Sequence, residues 1–189
     1  GLSMMMESTG ARQGIVAIKA KHKDLVSLLE KLLKDKPRFI LHQLDDFYPA
    51  GDEFSLVYET TGKLIPSGGI PIQIGIVVNN VETLYNVAKS KKGPVVEKFL
   101  TVAGAVKKPC TVLLPIGATF SDAIELAGGA SVKNFAVLDG GAMMGRVVSD
   151  MFEPITKTSG GLIVLPSDHP LIRRKSAPKK VFTRIGKSV

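Results

Sequence analysis

The sequence predicts an α/β fold with parallel strands, followed by a small β-grasp module. Three observations carry that prediction. Residues 14–20 read as a strand, 22–36 as an amphipathic helix and 38–44 as a second strand, an order that implies a right-handed crossover and parallel pairing. After Ser90, the stretch Lys91-Lys92-Gly93-Pro94 leads into shorter, β-rich elements around one short helix. Between these regions, the β-branched run from Ile74 to Val78 meets Asn79-Asn80 and then the helical pattern Val81, Leu84, Val87, Ala88. This reads as a buried strand delivering a helix N-terminus.

Residues 2–7 form a short helical candidate that ends at Ser8-Thr9-Gly10. In the 22–36 helix, Leu25, Leu28, Leu29, Leu32 and Leu33 share one face with lysines opposite, and Pro37 stops it. A helix follows Gly51, and then a Gly- and Pro-dense loop over residues 62–71 of the kind found beside a ligand or a partner chain. With Asn79 as N-cap, Glu82 falls at the third helical position and completes a variant capping box. Taken alone, this is first of all the pattern of a capped helix. A helix mouth at the carboxyl end of a strand is also where an α/β protein holds phosphate, because free N–H groups and the positive end of the helix dipole point there.

In the β-rich part, residues 95–103 and 110–114 read as paired strands, and 121–126 as a short helix capped by Thr119. Residues 135–138 are a further strand, and residues 160–165 a last one that packs back on the body. Met143-Met144 in the glycine-rich turn read as gap-filling core.

Composition narrows the function classes. The apolar fraction of 44% is that of a globular protein. No apolar run reaches the roughly 20 residues that span a bilayer. The opening Gly1-Leu2-Ser3-Met4 has neither a signal-peptide pattern nor an initiating Met, so the chain reads as an excised piece. One cysteine, Cys110, excludes an internal disulfide framework, suits a reducing compartment and cannot ligate a cluster by itself. The net charge of +8 resembles a nucleic-acid signal until it is mapped. Arg173, Arg174, Lys175, Lys179, Lys180, Arg184 and Lys187 lie after residue 170 with no acidic residue among them, which leaves a nearly neutral body. A basic tail of this kind is a linking segment before it is a nucleic-acid contact, and no nucleic acid is expected as a partner.

No residue spacing specifies a reaction. His22, His42 and His169 are far apart and read as surface or packing residues, so no metal site is expected. Asp45-Asp46 and Asp52-Glu53 lack the spacing of a metal loop, Cys110 lies in an apolar strand, and there is neither a Walker loop nor a complete G-x-G-x-x-G.

Together, however, Tyr48-Pro49-Ala50-Gly51-Asp52-Glu53, the stretch from Thr61 to Pro71 with Ser67-Gly68-Gly69, Asn79-Asn80-Val81-Glu82-Thr83 and Gly140-Gly141-Ala142-Met143-Met144-Gly145 form a recognisable series. In order and spacing, it resembles the family of the Rnf-complex C subunit and the propanediol-utilisation cobalamin reductase. That family is related to the FMN-binding flavoprotein subunit of respiratory complex I. The resemblance covers essentially the whole chain and implies a central fragment. It implies the last part of a partial Rossmann-like FMN-binding domain over 1–90 and a β-grasp domain over 91–150. A returning strand segment over 151–170 and a basic linker over 171–189 toward a missing iron–sulfur domain would follow.

The resemblance also implies an NADH dehydrogenase-like FMN oxidoreductase. In the parent protein, NADH would reduce FMN and electrons would leave through iron–sulfur clusters outside this chain. An electron-acceptor protein or a corrinoid would receive them, among the other subunits of an electron-transport assembly. Val78, Asn79, Asn80 and Thr83 would hold the FMN phosphate and ribitol region. Gly51, Asp52 and Glu53 would correspond to the family's acidic turn beside flavin and nicotinamide, although Asp52 stands where the family has Glu. The family's glycine-rich loop is not in this sequence, so the fragment is expected to be inactive and to lack FMN by itself. The expected location is cytoplasmic, peripheral to a membrane complex or inside a bacterial microcompartment. The competing reading is a non-catalytic assembly module that docks a partner through its β-grasp domain.

Overall fold

A computed structural model of the chain describes residues 1–177. Residues 178–189, with four of the basic residues of the tail, lie outside the described residues. The chain divides into two compact units, Gly1–Val95 and a second from Val96 on.

The first unit begins with α1 (Leu2–Thr9), β1 (Gly14–Lys19), α2 (Lys23–Leu33) and β2 (Phe39–Leu44). The two strands pair in parallel, from Gly14 opposite Phe39 to Lys19 opposite Leu44, as the strand–helix–strand order predicts. Next come α3 (Glu53–Thr61), a 3₁₀ turn at Pro71–Ile74, α4 (Val81–Lys89) and a second 3₁₀ turn at Ser90–Lys92. α1 packs on α4 and β1, and α3 packs on β1 and the Pro71–Ile74 turn. Met6, Val26, Leu44, Ala50 and Val57 form the buried apolar interior of this unit.

Two expectations for this unit change. On α2, Val26 is the buried residue, Leu29 and Leu33 are half-buried, and Leu25, Leu28 and Leu32 remain 51%, 51% and 54% exposed. The apolar arc is wider than a two-stranded sheet can cover. The run from Ile74 to Val78 is not a strand: Pro71 opens a 3₁₀ turn instead, and Gly75 closes it at φ 74, a left-handed conformation that a β-branched residue resists. Ile76 to Asn80 then run without a strand partner.

The second unit contains β3 (Glu97–Gly104), β4 (Cys110–Pro115), α5 (Phe120–Leu126), β5 (Phe135–Asp139), β6 (Arg146–Val147), β7 (Gly161–Pro166) and α6 (Pro170–Ser176). The strands form one mixed sheet in the order β4-β3-β7-β5-β6. β7 runs parallel to β3 and antiparallel to β5, so the last strand lies between two antiparallel pairs, a β-grasp arrangement. The strand expected only to pack back on the body is the middle of this sheet. Gly104, at φ +90, sits against the Val164 carbonyl with no room for a Cβ, which lets the end of β3 close on β7.

Alternation along β3 buries Leu100 and Val102, which meet Leu114, Phe120, Ile155 and Val164 in the core. Cys110 is half-buried and packs against that core, as an apolar-strand cysteine should. Thr119 caps α5 reciprocally: its hydroxyl accepts the Asp122 N–H at 3.1 Å, and the Asp122 carboxylate accepts the Thr119 N–H at 2.8 Å. That backbone donor, followed by the Thr119 hydroxyl, holds the Asp122 carboxyl below its usual range. The start of the expected basic linker forms α6, whose Ile172 is buried.

The methionine pair also departs from expectation: Met143 and Met144 are 69% and 90% exposed. Their loop is held by its backbone, because Lys175 Nζ donates to the carbonyls of Met143 and Gly145 at 2.9 and 2.6 Å, leaving the side chains to project.

An ion network closes the turn after β6. Arg146 reaches Glu153 at 2.7 Å and Asp139 at 3.4 Å, and its guanidinium lies 5.9 Å from the centre of the Phe120 ring. The Arg146 contact, then the Asp150 N–H and the Ser149 hydroxyl, lower the Glu153 carboxyl from its ordinary 4.5 to about 2. A depressed carboxylate contributes stability in full above its unfolded value and loses it as pH falls through the folded one. Acid melting of the second unit should therefore contain a Glu153-dependent component between pH 4.5 and about 2. Glu153→Gln should flatten the stability curve over that interval. An unchanged curve in the variant would show that the network does not couple to folding.

Candidate functional site

The helix mouth at α4 is built by a short-range contact. Asn80, in extended conformation (φ −68, ψ 147), accepts the Glu82 N–H on its side-chain oxygen at 2.9 Å, and its carbonyl takes the Leu84 N–H at 3.2 Å. Asn80 is thus the N-cap in place of Asn79, and Glu82 moves to the second helical position, outside a capping box. The first-turn N–H groups of Val81 and Thr83 are left pointing out of the helix end. Val78 and Asn79 are half-buried and Thr83 is exposed. The Asn79 side chain takes no part in the cap. A phosphate at this position would meet open N–H groups, the helix dipole, an amide and a hydroxyl, a donor set that suits the phosphate end of a flavin nucleotide.

This division of labour between the asparagines is testable. Asn80→Ala should destabilise the first unit by about 1 kcal/mol through loss of the cap, with Asn79→Ala close to neutral. Urea melts that reversed the two would return the cap to Asn79.

The second predicted group has its own local role. Asp52 is the N-cap of α3, its carboxylate accepting the N–H groups of Phe54 at 3.1 Å and Ser55 at 3.4 Å. Glu53 occupies the first turn of α3 with its side chain exposed, and Gly51 is exposed before it. The structure thus places Gly51–Asp52–Glu53 at the α3 mouth and Asn79–Asn80–Thr83 at the α4 mouth, two helix starts of one unit.

A cluster with no signature in the local sequence lies at the carboxyl ends of β1 and β2. Lys19 Nζ and Lys21 Nζ reach the two oxygens of Asp46 at 2.9 and 3.0 Å, and Lys19 also donates to the Phe47 carbonyl at 3.2 Å. Hydrogen bonds from Lys19 and then Lys21 hold the Asp46 carboxyl below its usual range. The available signal was the topology: residues just past the ends of adjacent parallel strands meet.

The histidines lie on separate elements. His169 Nδ1 accepts the Leu171 N–H at 3.2 Å as the cap of α6, His42 lies 3.8 Å from Glu59, and His22 precedes α2 exposed. Among the described residues, no group of three or more His, Cys, Asp or Glu is placed to hold a metal ion, and no helix is long and apolar enough to cross a membrane.

With this geometry in place, the chain can be compared with known proteins. Residues 1–89 match the Nuo51 FMN-binding domain, and residues 99–147 the SLBB domain. Over its full length the chain is 41% identical to cobalamin reductase PduS of Salmonella typhimurium, of which it covers 42%. It is 33% identical to the C subunit of the Na(+)-translocating ferredoxin:NAD(+) oxidoreductase complex of Acetobacterium woodii, with 93% of this chain and 40% of that protein aligned. The NAD+-reducing [NiFe]-hydrogenase in its H2-reduced state shares the fold, with a TM-score of 0.66 at 20% identity over 85% of this chain and 34% of that one. The chain therefore spans about two fifths of the length of the cobalamin reductase and the Acetobacterium protein. It joins a Nuo51 FMN-binding domain to an SLBB domain and belongs to the oxidoreductase family of the PduS cobalamin reductases and the C subunits of ion-translocating oxidoreductase complexes.

Proposed function

We propose that this chain forms the phosphate-side wall of the flavin site in a longer oxidoreductase, one that carries electrons from NADH through FMN and iron–sulfur centres to an acceptor protein or a corrinoid. One observation carries this reading. The α4 mouth, with its open N–H groups and the uncommitted Asn79 amide, falls inside the residues that match the FMN-binding family. Asn79 and Thr83 bind the phosphate and ribitol hydroxyls, Asn80 keeps the helix end open by capping it from the side, and Val78 packs against the bound group. Glu53 faces solvent from the α3 mouth, where a carboxylate binds ribose hydroxyls or sets the local potential, and Asp52 orients it by capping the helix. Bound FMN supplies the step between two-electron and one-electron chemistry.

The partners that follow from this reading are NADH, the acceptor and the other subunits of an electron-transport assembly. The location is cytoplasmic, peripheral to a membrane complex or inside a bacterial microcompartment. FMN titration followed by flavin fluorescence tests the reading. A version extended to the length of the relatives should bind one FMN, whereas the 189-residue chain should lose it on desalting and show no NADH oxidation. Absence of FMN from the extended protein would overturn the reading.

One observation favours the assembly-module reading: Met143, Met144 and Phe152 project from the second unit, with Phe152 75% exposed. Flavin-independent capture of a partner subunit, lost in a variant carrying Met143→Ser and Met144→Ser, would support it.

A further inference from the structure

We propose that the loop carrying Met143 and Met144, with the basic helix α6 beside it, docks an acidic segment of a partner protein. The surface rests on the assembly-module reading, needs no bound flavin, and gives that reading a partner of stated chemistry. Met144, at 90%, is the most exposed large apolar side chain among the described residues, and Met143 beside it is 69% exposed. Beyond the Arg146–Glu153 ion pair, Phe152 also projects.

The main chain of this loop is fixed before any partner arrives. Lys175 Nζ holds the carbonyls of Met143 and Gly145 at 2.9 and 2.6 Å, and the Gly145 N–H donates to the Gly141 carbonyl at 2.7 Å. A Cβ on Gly145 would run into that same carbonyl, so the turn admits no larger residue there. A preformed backbone lowers the ordering cost of binding. Unbranched, polarizable methionine side chains on such a frame suit a surface that moulds to a partner's apolar face.

Charge selects the partner. The carboxylates of this region are committed: Arg146 engages Asp139 and Glu153, and Asp150 accepts the Phe152 N–H at 2.9 Å. The cations of α6 are not. Lys175 donates to carbonyls, and Arg173 and Arg174, exposed on the same helix, pair with no carboxylate among the described residues. The exposed Asp168 precedes α6, at the end away from Lys175, and the sequence after it holds seven basic residues and no acidic one. Because α6 packs on β6, which follows the loop directly, this uncompensated charge flanks the methionines. Methionine and arginine are enriched in protein interfaces, whereas lipid-surface helices present an open apolar face. α6 buries its Ile172 against the body, which favours a protein over an anionic membrane.

The test titrates the 189-residue chain into a labelled helical peptide of about 20 residues, with a leucine face and glutamates opposite. The same peptide with lysines for glutamates, and vesicles of phosphatidylcholine with phosphatidylserine, serve as comparisons. The glutamate peptide should bind with an affinity that falls with salt, and the lysine peptide at least about 10-fold more weakly. Arg173→Glu combined with Arg174→Glu should weaken the glutamate peptide about 5–10-fold. Met144→Ser should weaken it about 5-fold, and Met144→Leu should restore it. All three side chains are exposed, so unchanged urea melts would separate lost docking from lost folding. No binding of the glutamate peptide, equal binding of the lysine peptide, or indifference to either set of substitutions would each overturn the proposal. So would vesicle binding or self-association of the chain that the same substitutions abolish. Capture of a partner subunit that needs the methionines but not the arginines would leave the assembly-module reading standing and overturn the acidic partner.

Discussion

Phe120→Ala is expected to destabilise the second unit by about 3–5 kcal/mol, the range for emptying a buried aromatic site. Phe120 is 0% exposed and opens α5 directly after the Thr119 cap, so its ring is driven into the core where Leu100, Leu114 and Ile155 meet the helix. The neighbouring groups are fixed by a five-stranded sheet and by the reciprocal cap, so they can close little of the cavity. The substitution also removes the ring beside the Arg146 guanidinium. Domains of this size carry about 5–15 kcal/mol in all, so the variant should melt on the order of 20 °C lower. Thermal and urea melts would check this, and a loss below about 1 kcal/mol would mean that the core reorganises around the gap.

The second large effect concerns the flavin. In a protein extended to the length of its relatives, Asn79→Ala should weaken FMN binding about 10–100-fold, the value of a hydrogen bond to a charged group, while leaving the melt unchanged. Asn80→Ala should lower both affinity and stability, because Asn80 caps the helix whose open N–H groups would meet the phosphate in the proposed site. Fluorescence titration beside a urea melt separates the two. If Asn79→Ala left FMN affinity intact, the phosphate would have to be held elsewhere, and the α4 mouth would be only a capped helix.

Thr119 as a cap, the helix after Gly51 and the pairing of β3 with β4 were legible because they rest on contacts a few residues apart or across a short turn. The candidate site was proposed from residue types and order alone. That Asn80 caps α4 in place of Asn79 depended on whether Ile74–Val78 extended as a strand, and the turn set by Pro71 and Gly75 decided it. The Lys19–Asp46–Lys21 cluster joins residues more than twenty apart and had no local signature.

By itself, then, the sequence determined the alternation of helices and strands, the parallel β1–β2 pair, a β-grasp following it, and motifs that resemble those of the cobalamin reductase and Rnf-type C subunit family. Only the tertiary structure decided that β7 inserts between β3 and β5, that three α2 leucines stay half exposed, and that Met143 and Met144 face outward. The reason is physical. Caps and turns are settled by hydrogen bonds within one turn of chain. The partner of a strand, or the surface a helix covers, is settled by which distant segments bury the most apolar area together, and a hydrophobic pattern shows that a face wants burial without showing what will cover it.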